Sequence, residues 1–299
     1  MFKKIVIFGV GLIGGSFALA LRKTDAVGEI VGVGRTAATL MRARELGIID
    51  AGTTSVEEAL HGASLVLIAA PVAQTGAILS SIRPHLQAGT VVTDAGSTKT
   101  DVVAAARNAL GDKIAQFIPG HPIAGRESNG PDAAIADLYI GKKVVLAPLP
   151  ENAPADIERV AGAWERCGAV IHQLSAAEHD AVFASVSHLP HLLAYALVDD
   201  LARKPHADLL FQYAASGFRD FTRIAGSSPE MWRDISLANQ AALLSELDSY
   251  MIQLTGLRAM LAQGDGKALE AVYANAQKAR HNWINAIETA EKQNRQGGD

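Results

Sequence analysis

The sequence Gly9-Val10-Gly11-Leu12-Ile13-Gly14 decides the fold class, because it lies between a strand-like and a helix-like segment. It comes directly after a short apolar run at residues 5–8 (IVIF) and opens an apolar, helix-like stretch that continues to Leu21. In a strand-turn-helix of this kind the first glycine permits a tight turn, the second lets a pyrophosphate approach the backbone, and the third lets the helix pack on the strand. The stretch therefore predicts a dinucleotide site at the helix N-terminus, and the alternative is a purely structural glycine-rich turn. The cofactor-binding residues expected here are Gly9, Gly11, Leu12, Ile13 and Gly14.

Further apolar runs extend this prediction over the first half of the chain. They lie at residues 30–33, 65–68, 90–93 and 143–146, are rich in β-branched residues and alternate with helix-like stretches. Continuous apolar runs of this length suit strands that are buried on both faces of a parallel sheet. From a capping-box pattern at Ser175 and Glu178 onward we find no convincing strand. The fold class predicted is therefore α/β, with a Rossmann-type doubly wound parallel sheet in residues 1–174 and an all-helical domain in residues 175–299.

Composition and charge narrow the function classes. The 299 residues are 49% hydrophobic, and the formal net charge of -4 comes without any basic cluster, so we expect a soluble globular protein with no nucleic-acid partner. The longest apolar run, residues 65–73, is shorter than the roughly 20 residues that span a bilayer, so no membrane association is expected. The basic start runs into the glycine motif rather than a signal-peptide cleavage site, and Cys167 is the only cysteine. These features favour the cytoplasm.

The end of the second predicted strand indicates the type of nicotinamide cofactor. An acidic residue about 20 positions beyond the glycines usually binds the 2′-hydroxyl of NAD. This sequence instead reads Val33-Gly34-Arg35-Thr36, which places a guanidinium and a hydroxyl where a 2′-phosphate would lie. We therefore predict NADP bound by Arg35 and Thr36, with NAD as the alternative if Arg35 is a solvated surface residue.

A histidine is the commonest base for removing a hydroxyl proton during hydride transfer. Of the nine histidines, His121 stands out because it lies in a glycine-flanked loop after the short apolar segment 117–119. Loops at the carboxyl ends of parallel strands are where ligands bind in open α/β sheets. His121 is thus the candidate base, and the alternative is a hydrogen bond that only shapes the loop.

The chain resembles prephenate/arogenate dehydrogenases in the order of six motifs. They are GLIGGS at 11–16, DAGSTK at 94–99, GHPIAG at 120–125, SHLPH at 187–191, FTRIA at 221–225 and MWRD at 231–234. The resemblance implies that His121 and Ser97 are catalytic, with His121 bonding the ring hydroxyl and Ser97 orienting it. It also implies that the substrate-binding residues are Arg223, which binds a carboxylate, together with His191, Glu127, Asp180 and Asp220.

Each of these residues has a simpler interpretation. Ser97 could be a helix N-cap, a role that is compatible with binding. His188 and His191 share a helix face, yet Pro190 and the lack of further ligand spacing lead us to expect no metal site. Asp180 and Asp220 could be surface carboxylates. Arg223, between Thr222 and Ile224, would be costly to bury without an anion, which could be substrate or protein.

The function implied is NAD(P)-dependent oxidative decarboxylation of prephenate, arogenate or both, in tyrosine biosynthesis. The sequence does not rank the two substrates. By analogy we also expect a homodimer formed through the helical domain. The rival classes are a β-hydroxyacid dehydrogenase, which uses a helical-domain Lys, and a nonenzymatic NADP sensor, which would need the glycine loop alone.

Overall fold

The computed structural model describes residues 2–126 and 128–296, and the side chains up to residue 287. Two compact units divide the chain, residues 1–243 and residues 244–299. The first unit contains both sheets and every residue of the candidate site discussed below. The second contains most of one long helix and all of the next.

The main sheet has six parallel strands in the order β3-β2-β1-β4-β5-β6. Its strands are β1 Phe2–Phe8, β2 Val27–Val33, β3 Ala51–Thr53, β4 Leu65–Ile68, β5 Val91–Asp94 and β6 Phe117–Ile118. This is the strand order of a dinucleotide-binding Rossmann sheet, and its switch point lies between β1 and β4. The predicted doubly wound parallel sheet is confirmed.

Side chains of β1 show why the sheet is buried on both faces. Ile5 and Ile7 point into one apolar cluster, whereas Val6 and Phe8 point into another on the opposite face. The first cluster includes Phe17 of the following helix. Because successive residues of a strand alternate between faces, only an uninterrupted apolar run can fill both clusters.

A second, three-stranded sheet comes next in the chain, and the sequence pattern did not predict it. Its strands are β7 Gly120–Pro122, β8 Lys143–Leu146 and β9 Val170–Gln173. β7 is antiparallel to β8, and β8 is parallel to β9. The run 143–146 is therefore a strand, as expected, but it pairs with β7 and β9 and does not belong to the main parallel sheet. β7 itself begins only two residues after β6 ends, which leaves no room for the crossover helix that another parallel strand would need.

The α-helices of the described chain fall into two groups. Those of the first 173 residues are α1 Leu12–Arg22, α2 Ala37–Glu45, α3 Val56–Leu60, α4 Thr75–Ile82, α5 Thr100–Leu110 and α6 Pro154–Arg166. The later ones are α7 Ala176–Phe183, α8 Leu189–Ala202, α9 Ala207–Gln212, α10 Ser216–Thr222, α11 Pro229–Ala238, α12 Gln240–Gln263 and α13 Gly266–Gln296. Within the described residues no strand comes after β9, so the expected helical second half is confirmed.

Helix α7, which carries site residues, has a distinctive structure at both ends. Ser175 and Glu178 form the predicted capping box at its start. At its far end α7 continues through one π-helical turn, residues 184–188, into α8, a distortion that is frequent at functional sites. By length and composition the whole segment Ala176–Ala202 could cross a membrane, a criterion that core helices of soluble proteins also meet.

Candidate active site

The glycine loop connects β1 to α1 at the edge of a large pocket of about 1110 Å³. Gly9 has φ +93°, and a Cβ there would lie 2.5 Å from the carbonyl oxygen of Ala69. A Cβ on Gly14 would lie 2.2 Å from the carbonyl oxygen of Gly9, so this glycine permits the helix to pack on the strand. A Cβ on Gly11 meets nothing closer than 3.9 Å.

These positions fit the pyrophosphate of a dinucleotide. Gly9, Gly11, Leu12 and Ile13 line the pocket, whereas Gly14 lies beneath it against β1. The open side of Gly11 is where a phosphate would approach the first turn of α1, whose backbone N–H groups carry partial positive charge.

The residues that come after β2 line the same pocket. Arg35 and Thr36 both line it, and Arg35 is exposed. Thr36 is the N-cap of α2, where its hydroxyl accepts from the backbone N–H of Thr39 at 3.4 Å and shares a 2.8 Å hydrogen bond with the Thr39 hydroxyl. Among the described lining residues the only carboxylate is Asp234, which is remote in sequence from this end of β2.

His121 and Ser97 lie in the chemical part of the pocket. His121 is the central residue of β7, and Ser97 lies in the loop between β5 and α5. Both line the same pocket as the glycine loop. β5 and β6 are adjacent parallel strands, so the loops at their carboxyl ends meet on one edge of the sheet.

A chain of hydrogen bonds runs from His121 into the core. His121 Nδ1 lies 2.8 Å from His179 Nε2, and His179 Nδ1 lies 2.8 Å from Asp180 Oδ1. Asp180 also accepts from two backbone N–H groups, those of Lys99 at 2.8 Å and Thr100 at 2.7 Å. His179 and Asp180 are 0% and 3% exposed, so the chain is shielded from solvent beyond His121.

A buried ion pair connects the loop that carries Ser97 with the strand that carries His121. Lys99 Nζ lies 2.5 Å from Asp94 Oδ2, and both side chains are buried. Asp94 also accepts from the backbone N–H groups of Gly96 at 2.8 Å and Gly120 at 3.0 Å. Because Gly120 immediately precedes His121, this one carboxylate ties the serine loop to the histidine loop.

Burial sets the charge state of His121. It lowers the pKa of the imidazole well below the ordinary 6.5, and His179, the positive charge of Lys99 and His188 act in the same direction. Burial also opposes ionisation of Asp180, but hydrogen bonds from His179, Thr100 and Lys99 outweigh it and lower the pKa of the carboxyl below 3.8. At neutral pH the pocket therefore holds a neutral His121 backed by a charged Asp180.

His191 lies beside the pocket rather than on its wall. Its ring stacks on Trp232 with 3.5 Å between ring centroids, and its Nδ1 is 2.9 Å from the carbonyl oxygen of Ser187. Trp232 lines the pocket, and its indole N–H is buried with no partner among the described residues. Burial lowers the pKa of His191, and Arg223 is close enough for its charge to lower it further.

Other predicted residues lie elsewhere. Arg223, the C-cap residue of α10, is exposed in the single chain. Asp180 is neither a surface carboxylate nor part of the pocket wall, because its oxygens are occupied by His179 and the start of α5. The Asp220 side chain is 77% exposed, 3.9 Å from Arg219. Glu127 lies outside the described residues.

Ser97 is not the helix N-cap, and His188 has a hydrogen-bond partner in the core. The N-cap position of α5 is Lys99, and Ser97 makes no cap hydrogen bond there. Within residues 2–126 and 128–296, no three His, Cys, Asp or Glu side chains are grouped so that they could hold a metal. His188 instead shares a 3.0 Å hydrogen bond with Asn239, and burial lowers its pKa to about 4.

Sequence reasoning missed four residues of this network: Asp94, Lys99, His179 and Asn239. Asp94 and Lys99 lie inside a recognised motif, so their place beside Ser97 was a usable signal. His179 precedes Asp180 in the chain but is 58 residues from His121. No local pattern indicates that such a pair will meet.

A Rossmann sheet whose glycine loop opens into the same pocket as a neutral histidine and a serine defines a nicotinamide-dependent oxidoreductase. Comparison with known proteins identifies the family. The prephenate dehydrogenase nucleotide-binding domain model matches residues 17–173, and the prephenate dehydrogenase dimerization domain model matches residues 175–275.

Individual relatives agree over almost the whole chain. A cyclohexadienyl dehydrogenase of Zymomonas mobilis is 36% identical over 94% of this chain and 96% of its own length. A crystal structure of Aquifex aeolicus prephenate dehydrogenase with hydroxyphenyl propionate and NAD+ is 36% identical, with a TM-score of 0.89 over 94% of this chain and 98% of that chain. Synechocystis arogenate dehydrogenase is 30% identical, with a TM-score of 0.80 over 94% of this chain and 100% of that chain.

The chain belongs to the prephenate dehydrogenase family. It is an NAD(P)-dependent oxidoreductase, and the reaction of its family is the oxidative decarboxylation that leads to tyrosine. The resemblance seen in the sequence motifs is confirmed.

Proposed function

We propose that this enzyme oxidises and decarboxylates prephenate, arogenate or both, with His121 as the general base and NADP as the preferred cofactor. The observation that carries the proposal is the single pocket shared by the glycine loop, Ser97 and His121. It brings a dinucleotide site and a neutral imidazole within one cavity, as hydride transfer from an alcohol carbon requires.

The proposed mechanism assigns one task to each side chain. His121 Nε2 accepts the proton of the ring hydroxyl as the ring carbon gives up its hydride. The bound nicotinamide supplies the hydride acceptor. The ring carboxylate leaves as carbon dioxide, its electron pair enters the ring, and aromatisation makes the step effectively irreversible. Ser97 orients the hydroxyl, and the protein otherwise contributes mainly orientation and charge neutralisation.

Arg223 and His191 are proposed to bind a carboxylate of the substrate. His191 stacks on Trp232, which lines the pocket, and the charge of Arg223 reaches the His191 ring. A guanidinium suits a planar carboxylate because it presents paired N–H donors. Asp220 and Glu127 are proposed as acidic members of the substrate site on the strength of the family resemblance alone.

Turnover assays test this function against its rivals. Purified enzyme mixed with NADP and prephenate should reduce the cofactor and release carbon dioxide and 4-hydroxyphenylpyruvate, and the same assay with arogenate should yield tyrosine. Turnover of β-hydroxy acids without turnover of either cyclohexadiene would favour the β-hydroxyacid dehydrogenase. Binding of NADP without reduction by any of these substrates would favour a sensor.

The preference for NADP rests on Arg35. In the wild type, kcat/KM should be higher with NADP than with NAD, because the exposed guanidinium and the start of α2 attract a 2′-phosphate. Arg35→Ala should lower kcat/KM for NADP about 10–100-fold, the equivalent of a charge-assisted hydrogen bond of about 1.5–3 kcal/mol, and leave the NAD value nearly unchanged. Arg44→Ala, an exposed change on α2, is the control. A wild type that prefers NAD tenfold would contradict the proposal.

We also propose two functional domains, residues 1–174 for cofactor binding and residues 175–299 for substrate binding and dimerisation, in a cytoplasmic homodimer. The family-model matches divide near residue 174, and the second carries the description of a dimerization domain. In the single chain, α12 exposes five large apolar side chains: Leu244, Met251, Ile252, Leu254 and Leu261. An apolar helix surface of this kind is typical of a subunit interface.

A further inference from the structure

His179 is a fully buried histidine to which the proposed function gives no role. It lies on α7, between His121 on one side and Asp180 on the other, with 2.8 Å at each hydrogen bond. The Phe183 ring packs against both imidazoles, and its centroid lies 4.9 Å from that of His121 and 4.5 Å from that of His179. The two histidines are thus held at a fixed distance by packing as well as by hydrogen bonding.

The direction of every hydrogen bond in this chain can be deduced from Asp180. Both of its oxygens accept from backbone N–H groups, which can only donate, and these hydrogen bonds help to hold the pKa of the carboxyl below its ordinary value, so it is ionised and accepts only. His179 Nδ1 must therefore carry a hydrogen and donate it to Asp180. In a neutral imidazole the other nitrogen is then an acceptor, so His179 Nε2 receives a hydrogen from His121 Nδ1.

That last donation determines what His121 presents to the pocket. With its hydrogen on Nδ1, neutral His121 has a free lone pair on Nε2. The opposite tautomer would direct a lone pair at the lone pair of His179 and an N–H into the pocket, where it could not accept a proton.

Burial keeps His179 neutral despite the carboxylates around it. Burial is the largest cause that lowers its pKa, and Lys99 lowers it further, while the carboxylates of Asp180 and Asp94 oppose this without reversing it. His188 lies close enough to His121 to lower the pKa of that ring as well. A protonated His179 would have two N–H donors and would lose the acceptor that His121 needs.

We propose that His179 is a positioning residue that holds His121 in the tautomer whose Nε2 is free to accept the substrate proton. The proposal rests on the proposed role of His121 as the base. The tautomer itself, however, is a property of the enzyme without substrate and can be measured independently of turnover.

Two substitutions distinguish a role of His179 in orienting His121 from a role in core packing alone. The amide oxygen of His179→Gln reaches about as far as Nε2 did and can still accept from His121. The amide of His179→Asn reaches about as far as Nδ1 did, so it keeps the contact with Asp180 and loses the one with His121. We expect His179→Asn to lower kcat about 10–100-fold, by analogy with the loss of hydrogen-bond partners that orient histidine ligands in metal sites, with KM values within about twofold. His179→Gln should recover most of the lost rate.

Nitrogen-15 NMR of histidine-labelled enzyme supplies the direct readout. The wild type should show His121 protonated at Nδ1, His179→Gln should keep that tautomer, and His179→Asn should lose it. A wild type with His121 protonated at Nε2 would overturn the proposal, even if His179→Asn did not fold. Equal loss of kcat in both variants, with the tautomer unchanged, would also overturn it. If the enzyme shows the expected tautomer but turns over neither prephenate nor arogenate, the proposed function is contradicted and the role of His179 is not.

Discussion

At His121 the chemistry depends on which ring nitrogen holds a proton and on how readily the ring gains a second one. Burial lowers the pKa of this imidazole well below 6.5, so as the pH falls His121 keeps its lone pair until that lowered pKa is reached. The acid limb of kcat should therefore lie below the ordinary titration range of histidine, and activity should persist through pH 6.5. An acid limb at or above pH 6.5 in the wild type would contradict this assignment.

His121→Asn tests the base directly. Asparagine can keep the hydrogen bond to His179 and the shape of the loop, but it offers no second nitrogen to accept a proton. We expect kcat to fall about 10²–10⁴-fold, the usual contribution of a general base, with little change in cofactor KM and with the acid limb gone. His172→Asn, on the exposed strand β9, is the control. Near-normal kcat with an intact acid limb would transfer the role to His191.

Arg223 provides the second test at this scale. Arg223→Ala should mainly raise the KM for substrate, about 10–100-fold, because a charge-assisted carboxylate contact of about 1.5–3 kcal/mol is made in ground and transition states alike. Arg219→Ala is a matched control, since its side chain is 81% exposed on the same helix. An unchanged KM in a folded Arg223→Ala enzyme would remove this residue from the substrate site.

The residues that could be predicted from sequence are those whose local pattern carries their chemistry. Gly9 and Gly14 occupy the positions that the turn and the packing require, and His121 reaches the pocket because it comes just after a parallel strand. The environment of Asp180 could not be predicted, because its partners are backbone groups 80 and 81 residues away. Its acidity indicated a charge but not where that charge would be used.

Among the helices, α5 shows how a distant element completes a helix terminus. The N-terminal N–H groups of a helix lack partners within it, and here the Asp180 carboxylate on α7 accepts two hydrogen bonds at that end of α5. Its negative charge also interacts favourably with the helix dipole. The sequence suggested Ser97 as a local cap, and tertiary packing supplied a stronger acceptor instead.

Asp180→Asn should therefore lower the free energy of unfolding by about 1–3 kcal/mol, because an amide N–H₂ would face a buried N–H that needs an acceptor. The pKa of Asp180 is lowered on folding, so its stabilisation is present above pH 3.8 and is lost as pH falls through the lowered value. Denaturant unfolding across that range should show a steeper acid loss in the wild type than in the variant. Asp220→Asn, at a 77% exposed side chain, should change stability by no more than about 0.5 kcal/mol. Equal stabilities for the two variants would refute the capping role.

Among the strands too, the local sequence predicts some elements and not those that depend on distant partners. The apolar runs predicted β4 at its exact bounds, β5 within one residue and the end of β1, whose first three residues they missed, because burial on both faces leaves a plain pattern. The sheet to which β8 belongs depends on β7, a three-residue strand around His121 with too few residues to show a period. Short strands of this kind are defined by their partner rather than by their own sequence.

At the scale of the whole molecule, the exposed apolar surface of α12 has to be explained. A solvated helix normally shows polar side chains on its outer face. Ile252 is 75% exposed and Leu261 63% exposed in the single chain, which suits a surface covered by a second copy. The homodimer proposed above would remove this surface from water.

Ile252→Glu tests that arrangement. Burying an isoleucine contributes about 1.5–3 kcal/mol, and the symmetry of a homodimer places the substitution in both subunits, so a buried unpaired carboxylate should shift the equilibrium strongly towards monomer. Light scattering coupled to size exclusion should give a dimer mass for the wild type and a concentration-dependent decrease for the variant. Gln253→Glu adds the same charge at the next exposed position of α12 and is the matched control. A wild-type monomer, or an Ile252→Glu dimer as stable as the wild type, would show that this part of α12 is not the interface.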